Sequence, residues 1–305
     1  MPACTQPGRT ALLIVAAVVP ALLSVIGCGG ESAPVNSADS SGPRIVSLSP
    51  AVTQMLRDLG RDDAIVGVGE FDPVSPDHAR IVGDLRNIDY EGLLALRPTA
   101  VLLQPGHVGV PARLQRLADR VGFAVHSFDI ETLDDALDAL RNAIGDAAES
   151  PDAADALADG VEDQLARLAE LTADREPVRV LLLVGLGPYA TAAGRGTFLD
   201  EMLHVAGALN ALDERPLLYP ELDHEQLLAV DPDLIIHMTS SAGGPGGRMP
   251  DPLADRFRSL EDEAALLPST SLPRVAVKLV ALVHPDLHDQ AKALLEPVSP
   301  QRSVP

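Results

Sequence analysis

The apolar positions of this chain change period several times, and each change marks an element. Arg44-Ile-Val-Ser-Leu48 reads as a strand, and "AVTQMLRDLG" after it has helical spacing that Gly60 stops. "AIVGVGEF" predicts a second strand ending at Phe71. "DYEGLLALRP" predicts a short helix with an acidic first turn, closed by Pro98, and "AVLLQPG" a buried strand. A helix over "ARLQRLADRVG" and a strand over "FAVHSF" complete the region. Strands alternating with helices indicate a mostly parallel sheet covered on both faces.

After Asp129 the alternation stops. "ETLDDALDALRNAIGDA" and "DAADALADGVEDQLARLAELTADR" are both helical, with almost no strand signal. The second, from Asp152 to Arg175, spans about 36 Å at 1.5 Å per residue, enough to run from one domain to another. Alternation then resumes with strand "VRVLLLVGL", helices "TFLDEMLHVAG" and "DHEQLLAVDP", and strand "DLIIHM". A weak strand at "RFRSLE" and a helix at "SLPRVAVKLVALV" follow, and "HPDLH" reads as exposed tail. The expected α/β organisation is therefore an N-terminal lobe over 44–150, a bridging helix over 151–175, a C-terminal lobe over 176–286 and a tail over 287–305. Two such lobes leave a cleft between them, at the carboxyl ends of their strands, where ligands usually bind.

One phrase is written twice. "DYEGLLALRP" from Asp89 and "DHEQLLAVDP" from Asp223 share Asp89/Asp223, Glu91/Glu225, Leu93/Leu227, Leu94/Leu228, Ala95/Ala229 and Pro98/Pro232. An apolar run follows each copy, so the phrase occupies like places in the two lobes. Duplication accounts for this better than the chance recurrence of helix–Pro–strand units.

Composition narrows the rest. With 46% hydrophobic residues but only 3% aromatic and no Trp, the cores must be built of Leu, Val, Ala and Ile. A net charge of −21 argues against a nucleic-acid partner, which would need clustered Lys and Arg. Residues 1–27 read as a secretory leader: Arg9, an apolar run, then small residues ending at Cys28. The following "GGESAPVNSADSSGP", with Cys28 the span 28–43, reads as a flexible tether. Cleavage would also remove Cys4, leaving no thiol pair for a disulfide or a thiolate metal site.

The end of the leader, Val25-Ile26-Gly27-Cys28, resembles the bacterial lipobox, which implies a lipidated Cys28 and a body held at an extracytoplasmic membrane face. "RIVSLSPAVTQMLRDLG…AIVGVGEF" with "VGDLRNIDYEGLLALRPTAVLL", and "GRGTFLDEMLHVAGALNAL…YPELDHEQLLAVDPDLII", resemble the two lobes of the iron-siderophore and vitamin B12 binding proteins. These are the helical-backbone periplasmic substrate-binding proteins of ABC importers, and the resemblance runs from about Pro43 to Pro285. It implies two Rossmann-like lobes bridged by one long helix. It further implies a monomer without enzymatic activity or cofactor, whose ligand is a ferric siderophore or a corrinoid. Glu91 and Glu225 match the carboxylates that dock such proteins onto a permease dimer through Arg-rich pockets.

Ligand contacts are expected from loops that follow strands: Ser49, Phe71, Leu85, Arg86, Gln104 and His107 in the first lobe, and Tyr189, Arg195, Tyr219 and His237 in the second. At the positions matching the aromatic lining of B12 binders stand Phe71, Leu85, Gln104, Val184 and Tyr219, of which two are aromatic. His107 and His237, after strands of opposite lobes, form an alternative site for heme or a free metal. The remaining histidines show no tight metal spacing. A chelatase-like enzyme and an envelope scaffold without a ligand are the readings from other functional classes. No nucleophile elbow, P-loop or zincin pattern supports an enzyme.

Overall fold

The central strands are buried along nearly their whole length, and successive residues point into different apolar clusters. In the computed structural model, residues 42–212, 217–240, 249 and 251–295 are described. The leader, Cys28 and the tether up to Ser41 lie outside them. Among the described residues no helix is long and apolar enough to cross a membrane.

The first sheet is built from β1 (Ile45–Ser47), β2 (Ile65–Val68), β3 (Arg80–Ile81), β4 (Ala100–Leu103) and β5 (Ala124–Ser127). They lie in the order β3-β2-β1-β4-β5, and every pairing is parallel. Ser49 caps α1 (Pro50–Asp58), and Pro50 starts it where no amide hydrogen is needed. Between strands run α2 (Tyr90–Ala95) and α3 (Ala112–Val121). After β5 come α4 (Leu133–Ala139), a π turn over Leu140–Ile144, and α5 (Gly145–Ala147).

Next is α6 (Pro151–Thr172), 22 residues and about 33 Å long. Its buried residues, among them Ala154, Leu157, Ala158, Val161, Leu165, Leu168 and Thr172, recur at three- and four-residue steps and form one apolar stripe.

The second sheet comprises β6 (Val178–Leu186), β7 (Ala190–Ala192), β8 (Ala208–Asn210), β9 (Glu221–Leu222), β10 (Leu234–Thr239) and β11 (Phe257–Glu261). Its helices are α7 (Phe198–Val205), α8 (His224–Val230), α9 (Leu272–Val283) and α10 (His288–Ala293). The order is β11-β10-β6-β7-β9. β10 and β11 are parallel to β6, whereas β7 and β9 pair antiparallel. β8 pairs parallel with the first residues of β6, where β7 does not reach.

Each sheet buries both faces. Ile45, Ile65 and Leu102 of the first sheet share a single apolar cluster with Val180, Leu182, Ile236 and Met238 of the second, through α6, α7 and α9. The opposite faces have clusters of their own: Val46, Val101 and Leu103 in one, and Leu181, Leu183 and Ile235 in the other. The two copies of the repeated phrase also share backbone detail. Asp89 and Asp223 cap α2 and α8 through side-chain oxygens, and the residue before each proline, Arg97 and Asp231, has φ of 46° and 43°.

The expected tail needs correction. His284 and Leu287 are buried, and α10 packs on α9 with Ala291 inside. Only Leu287, Ala291 and Leu294 carry that stripe, too little to stand out among polar neighbours.

Candidate functional site

The loops leaving β1, β4 and β5 open onto a hollow of about 580 Å³ whose far wall belongs to the second sheet's elements. Pro50, Gln104, Gly106 and the run Phe128–Glu131 line one side, and Phe198, Tyr219 and Leu266–Pro268 the other. A smaller hollow of about 310 Å³ adjoins it through Pro50, bounded by the loops after β2 and β3. Leu48, Phe71, Asp72, Asp84, Leu85 and Arg86 line it, with Gly69 and Glu70.

Hydrogen bonds stiffen the first wall. Ser49 Oγ donates to Gln104 Oε1 at 2.5 Å, tying the cap of α1 to the loop after β4. Beneath Phe71, the Asp72 carboxylate accepts from Thr53 Oγ1 at 2.6 Å and from the Val74 amide at 3.0 Å. Burial pushes the Asp72 carboxyl above the ordinary aspartate range, while these donors and the nearby Arg57 charge oppose the shift. Across the cleft, burial and then the Glu131 charge push the Tyr219 phenol up. The two hollows together are lined by five carboxylates (Glu70, Asp72, Asp84, Asp129 and Glu131) against one guanidinium, Arg86, among the described residues.

The cleft floor is stitched from both sides. The Phe198 amide, at the start of α7, donates to the Glu131 carbonyl at 2.6 Å. The Leu133 amide, at the start of α4, donates to Glu201 Oε2 at 2.7 Å. Thr270 Oγ1 donates to Asp58 Oδ2 at 2.5 Å. Two helix starts thus give otherwise unpaired amides to the opposing half.

Burial raises the Glu201 carboxyl, and the charges of Asp134, Asp200 and Asp135 add to the rise; the Leu133 amide opposes it. A carboxyl whose folded pKa lies above its unfolded value stabilises the fold below the unfolded pKa, and that contribution is lost as pH rises through the folded one. Glu201→Gln keeps an acceptor for Leu133 without the charge. Urea unfolding should therefore show the Gln variant more stable than wild type at pH 7, with the advantage vanishing near pH ~4, around the unfolded glutamate value. An advantage independent of pH would refute this account of Glu201.

The structure places the expected site residues differently. Phe71, Leu85 and Arg86 line the small hollow, Gln104 and Tyr219 line the large one, and Ser49 is buried behind Gln104 as its support. Tyr189, in the β6–β7 hairpin, and Arg195, after β7, are exposed but line neither hollow. His107 lies in a short 3₁₀ turn, and its side chain is outside the described residues. His237 requires correction: it sits within β10, which runs on to Thr239, instead of in a loop after it. It is buried, stacked on Phe257 with centroids 6.3 Å apart, and lines neither hollow. Burial lowers its pKa. Among the described residues no three His, Cys, Asp or Glu side chains gather as a metal site would require.

Sequence reading missed Phe128–Glu131, Phe198 and Leu266–Pro268. The first of these follows β5 and was reachable by the same loop-after-strand rule. Phe198 is a buried helix residue, and nothing in "ALLPS" marks it as cleft wall.

Comparison with known proteins places this architecture. The family described as "Periplasmic binding protein" matches residues 45–256. The chain belongs to that family. The vitamin B12-binding protein of Vibrio cholerae serotype O1 is 26% identical over 194 residues, covering 63% of this chain and 69% of that protein. The crystal structure of a periplasmic heme-binding protein from Pseudomonas aeruginosa is similar at a TM-score of 0.68 and 26% identity, covering 80% of this chain and 93% of the other. The apo form of the periplasmic heme-binding protein RhuT from Roseiflexus sp. RS-1 is similar at a TM-score of 0.65 and 26% identity, over 82% and 99%. These relatives are binding proteins by name, and the two solved structures share this chain's fold.

Proposed function

We propose that this protein is a lipid-anchored extracytoplasmic receptor that captures a metal chelate and delivers it to an ABC importer, without making or breaking a bond. The chelate we assign is a corrinoid. The acid-lined, aromatic-edged cleft carries this reading. Five carboxylates facing one guanidinium favour a ligand body that is cationic, or edged with amide N–H donors, and disfavour one edged with carboxylates. A corrinoid has a cationic metal–ring core and a periphery of primary amides, whereas heme carries two propionates and many ferric siderophores are anionic. Phe71 and Tyr219, 77% and 43% exposed, offer flat apolar faces to such a ring. The curated relative from Vibrio cholerae, named for vitamin B12, supports the same choice.

Heme is the second reading, favoured by the similar heme-binding structures. For docking, Glu91 and Glu225 are exposed in the first turns of α2 and α8, and we assign them as paired anchors on the permease. Cys28 is the assigned lipidation site, with the segment to Pro43 as tether.

Thermal and calorimetric titration with cyanocobalamin, cobinamide, hemin and an anionic ferric siderophore tests the ligand. Ligand at 100 times its dissociation constant should add roughly 2.7 kcal/mol of stability. The corrinoids should produce that shift. A larger shift with hemin or the siderophore would reassign the ligand.

A further inference from the structure

Charge is divided unevenly along this acidic chain. Residues 129–176 hold fifteen acids against three arginines, whereas residues 92–128 hold four arginines against one acid, Asp119. The basic stretch contains α3, and at about 100° per residue its Arg113, Arg116 and Arg120 fall within roughly 60° of one another. Leu114 and Ala118, on the other side of the helix, are buried in the cluster of Val46, Val101 and Leu103 from the first sheet. The arginine stripe therefore points away from the protein, and all three residues are exposed.

The acids do not cancel this stripe. α6 lies across the sheet, since its Ala154, Leu157 and Leu165 share a cluster with Ile45 and Leu102, which face away from Val46 and Val101. Helices on opposite faces of a sheet stand roughly 20 Å apart, more than two screening lengths at physiological salt. Nearer acids are paired: Asp119 accepts Gln115 Nε2 at 3.1 Å, and Asp62 and Asp63 lie against Arg57 and Arg61. Arg113 is committed too, 4.2 Å over the Tyr90 ring. The exposed guanidinium groups of Arg97, Arg116 and Arg120 have no hydrogen-bond or ion-pair partner among the described residues.

The place of these three arginines points to the partner. The chain enters the first sheet after Arg44, whose carbonyl accepts the Thr99 amide at 2.8 Å, while the Thr99 carbonyl accepts the Ala124 amide at 2.9 Å. Arg97 lies just before Thr99, and Arg120 just before the turn into Ala124, so both stand at the end of the sheet where the tether joins. Val121, 54% exposed, adds an apolar edge beside Arg120. The cleft opens at the other end, beyond the last residues of β1, β4 and β5. A flexible tether over 28–43 has a mean reach of about 20 Å, so a lipid on Cys28 keeps the arginine end of the body near the membrane surface.

We propose that Arg97, Arg116 and Arg120, edged by Val121, form a face that lies on anionic lipid headgroups, so that the receptor waits with its cleft turned to solvent. The orientation depends on the reading of Cys28 as the anchor, and charge complementarity supplies the contact. Each guanidinium near an anionic leaflet contributes roughly fivefold to binding, and three together about 100-fold. The planar guanidinium also pairs with a lipid phosphate through two parallel N–H bonds.

The test uses the chain from residue 28 onward, which holds every described element, with Cys28→Ser so that no lipid contributes. It is sedimented at about 0.1 M salt with vesicles of phosphatidylcholine alone or of phosphatidylcholine and phosphatidylglycerol in equal parts. Partition into the mixed vesicles should exceed that into the neutral ones by about 100-fold. Arg116→Glu/Arg120→Glu should remove the difference. Arg167→Glu/Lys292→Glu makes the same change of net charge at exposed positions of α6 and α10, and should keep most of it. Equal partition into both vesicles, or an equal loss in the two double variants, overturns the proposal. Binding that survives Arg116→Glu/Arg120→Glu overturns it as well, and loss of importer-dependent uptake in that variant would then give the face to the permease. Mass spectrometry of the chain from cells tests the anchor separately: an unmodified Cys28 refutes that reading and leaves the lipid face to stand or fall on the vesicles.

Discussion

Replacing Glu91 and Glu225 together by Ala should reduce importer-dependent uptake by more than about 100-fold while ligand affinity is unchanged. Removing one partner of a buried, hydrogen-bonded charge pair costs about 2–5 kcal/mol, so even one lost anchor is worth more than about tenfold. The fold should tolerate the change. Both residues are exposed, and the caps that start α2 and α8 are Asp89 and Asp223, which remain. What the helices lose is a first-turn charge, about 0.3–1 kcal/mol each. Each single variant should show an intermediate loss, because the pair addresses two like subunits. The measurement is uptake of labelled ligand in cells, alongside calorimetry on the purified double variant. Uptake at the wild-type rate, or a fall explained by weaker ligand binding, would end the docking assignment.

That prediction draws on what was most legible in the sequence. The phrase at Asp89 and at Asp223 predicts a capped short helix, a proline stop and a buried strand, and both copies form it, down to a left-handed residue before each proline. Such features are local: an Asp cap, an acidic turn and an apolar run are set by neighbours in the chain. What stayed hidden depends on contacts distant in sequence. β7 and β9 have three and two residues, too few to show a period, and they exist because β6 extends past its parallel partners and offers an edge. His237 was expected beside the cleft although it falls within the strand read over "DLIIHM", and β11 pairs with β10 through Thr239 and holds it inside the sheet. The cleft shows the same division. Phe71, Leu85, Arg86, Gln104 and Tyr219 were readable as loop positions, whereas Phe198 and Leu266–Pro268 become wall only through the packing of one half against the other.

That packing leads to the second large effect, Leu168→Ala in α6. Leu168 is fully buried, in the apolar cluster that contains strand residues of both sheets. Truncating such a leucine removes its transfer free energy and leaves a cavity, together about 2–5 kcal/mol. The position matters as much as the size. α6 packs against α7, α9 and the turn at Leu140–Ile144, so the void opens in a helix that elements of both halves pack on. Because the cluster is continuous, the halves should unfold in one transition, and the variant should shift that whole transition to lower denaturant with the same slope. Leu228→Ala, on the exposed side of α8, should move it by no more than about 0.5 kcal/mol. Two separable transitions, only one of them moved by Leu168→Ala, would show that the halves are stabilised independently and that α6 is a linker between them with no shared core.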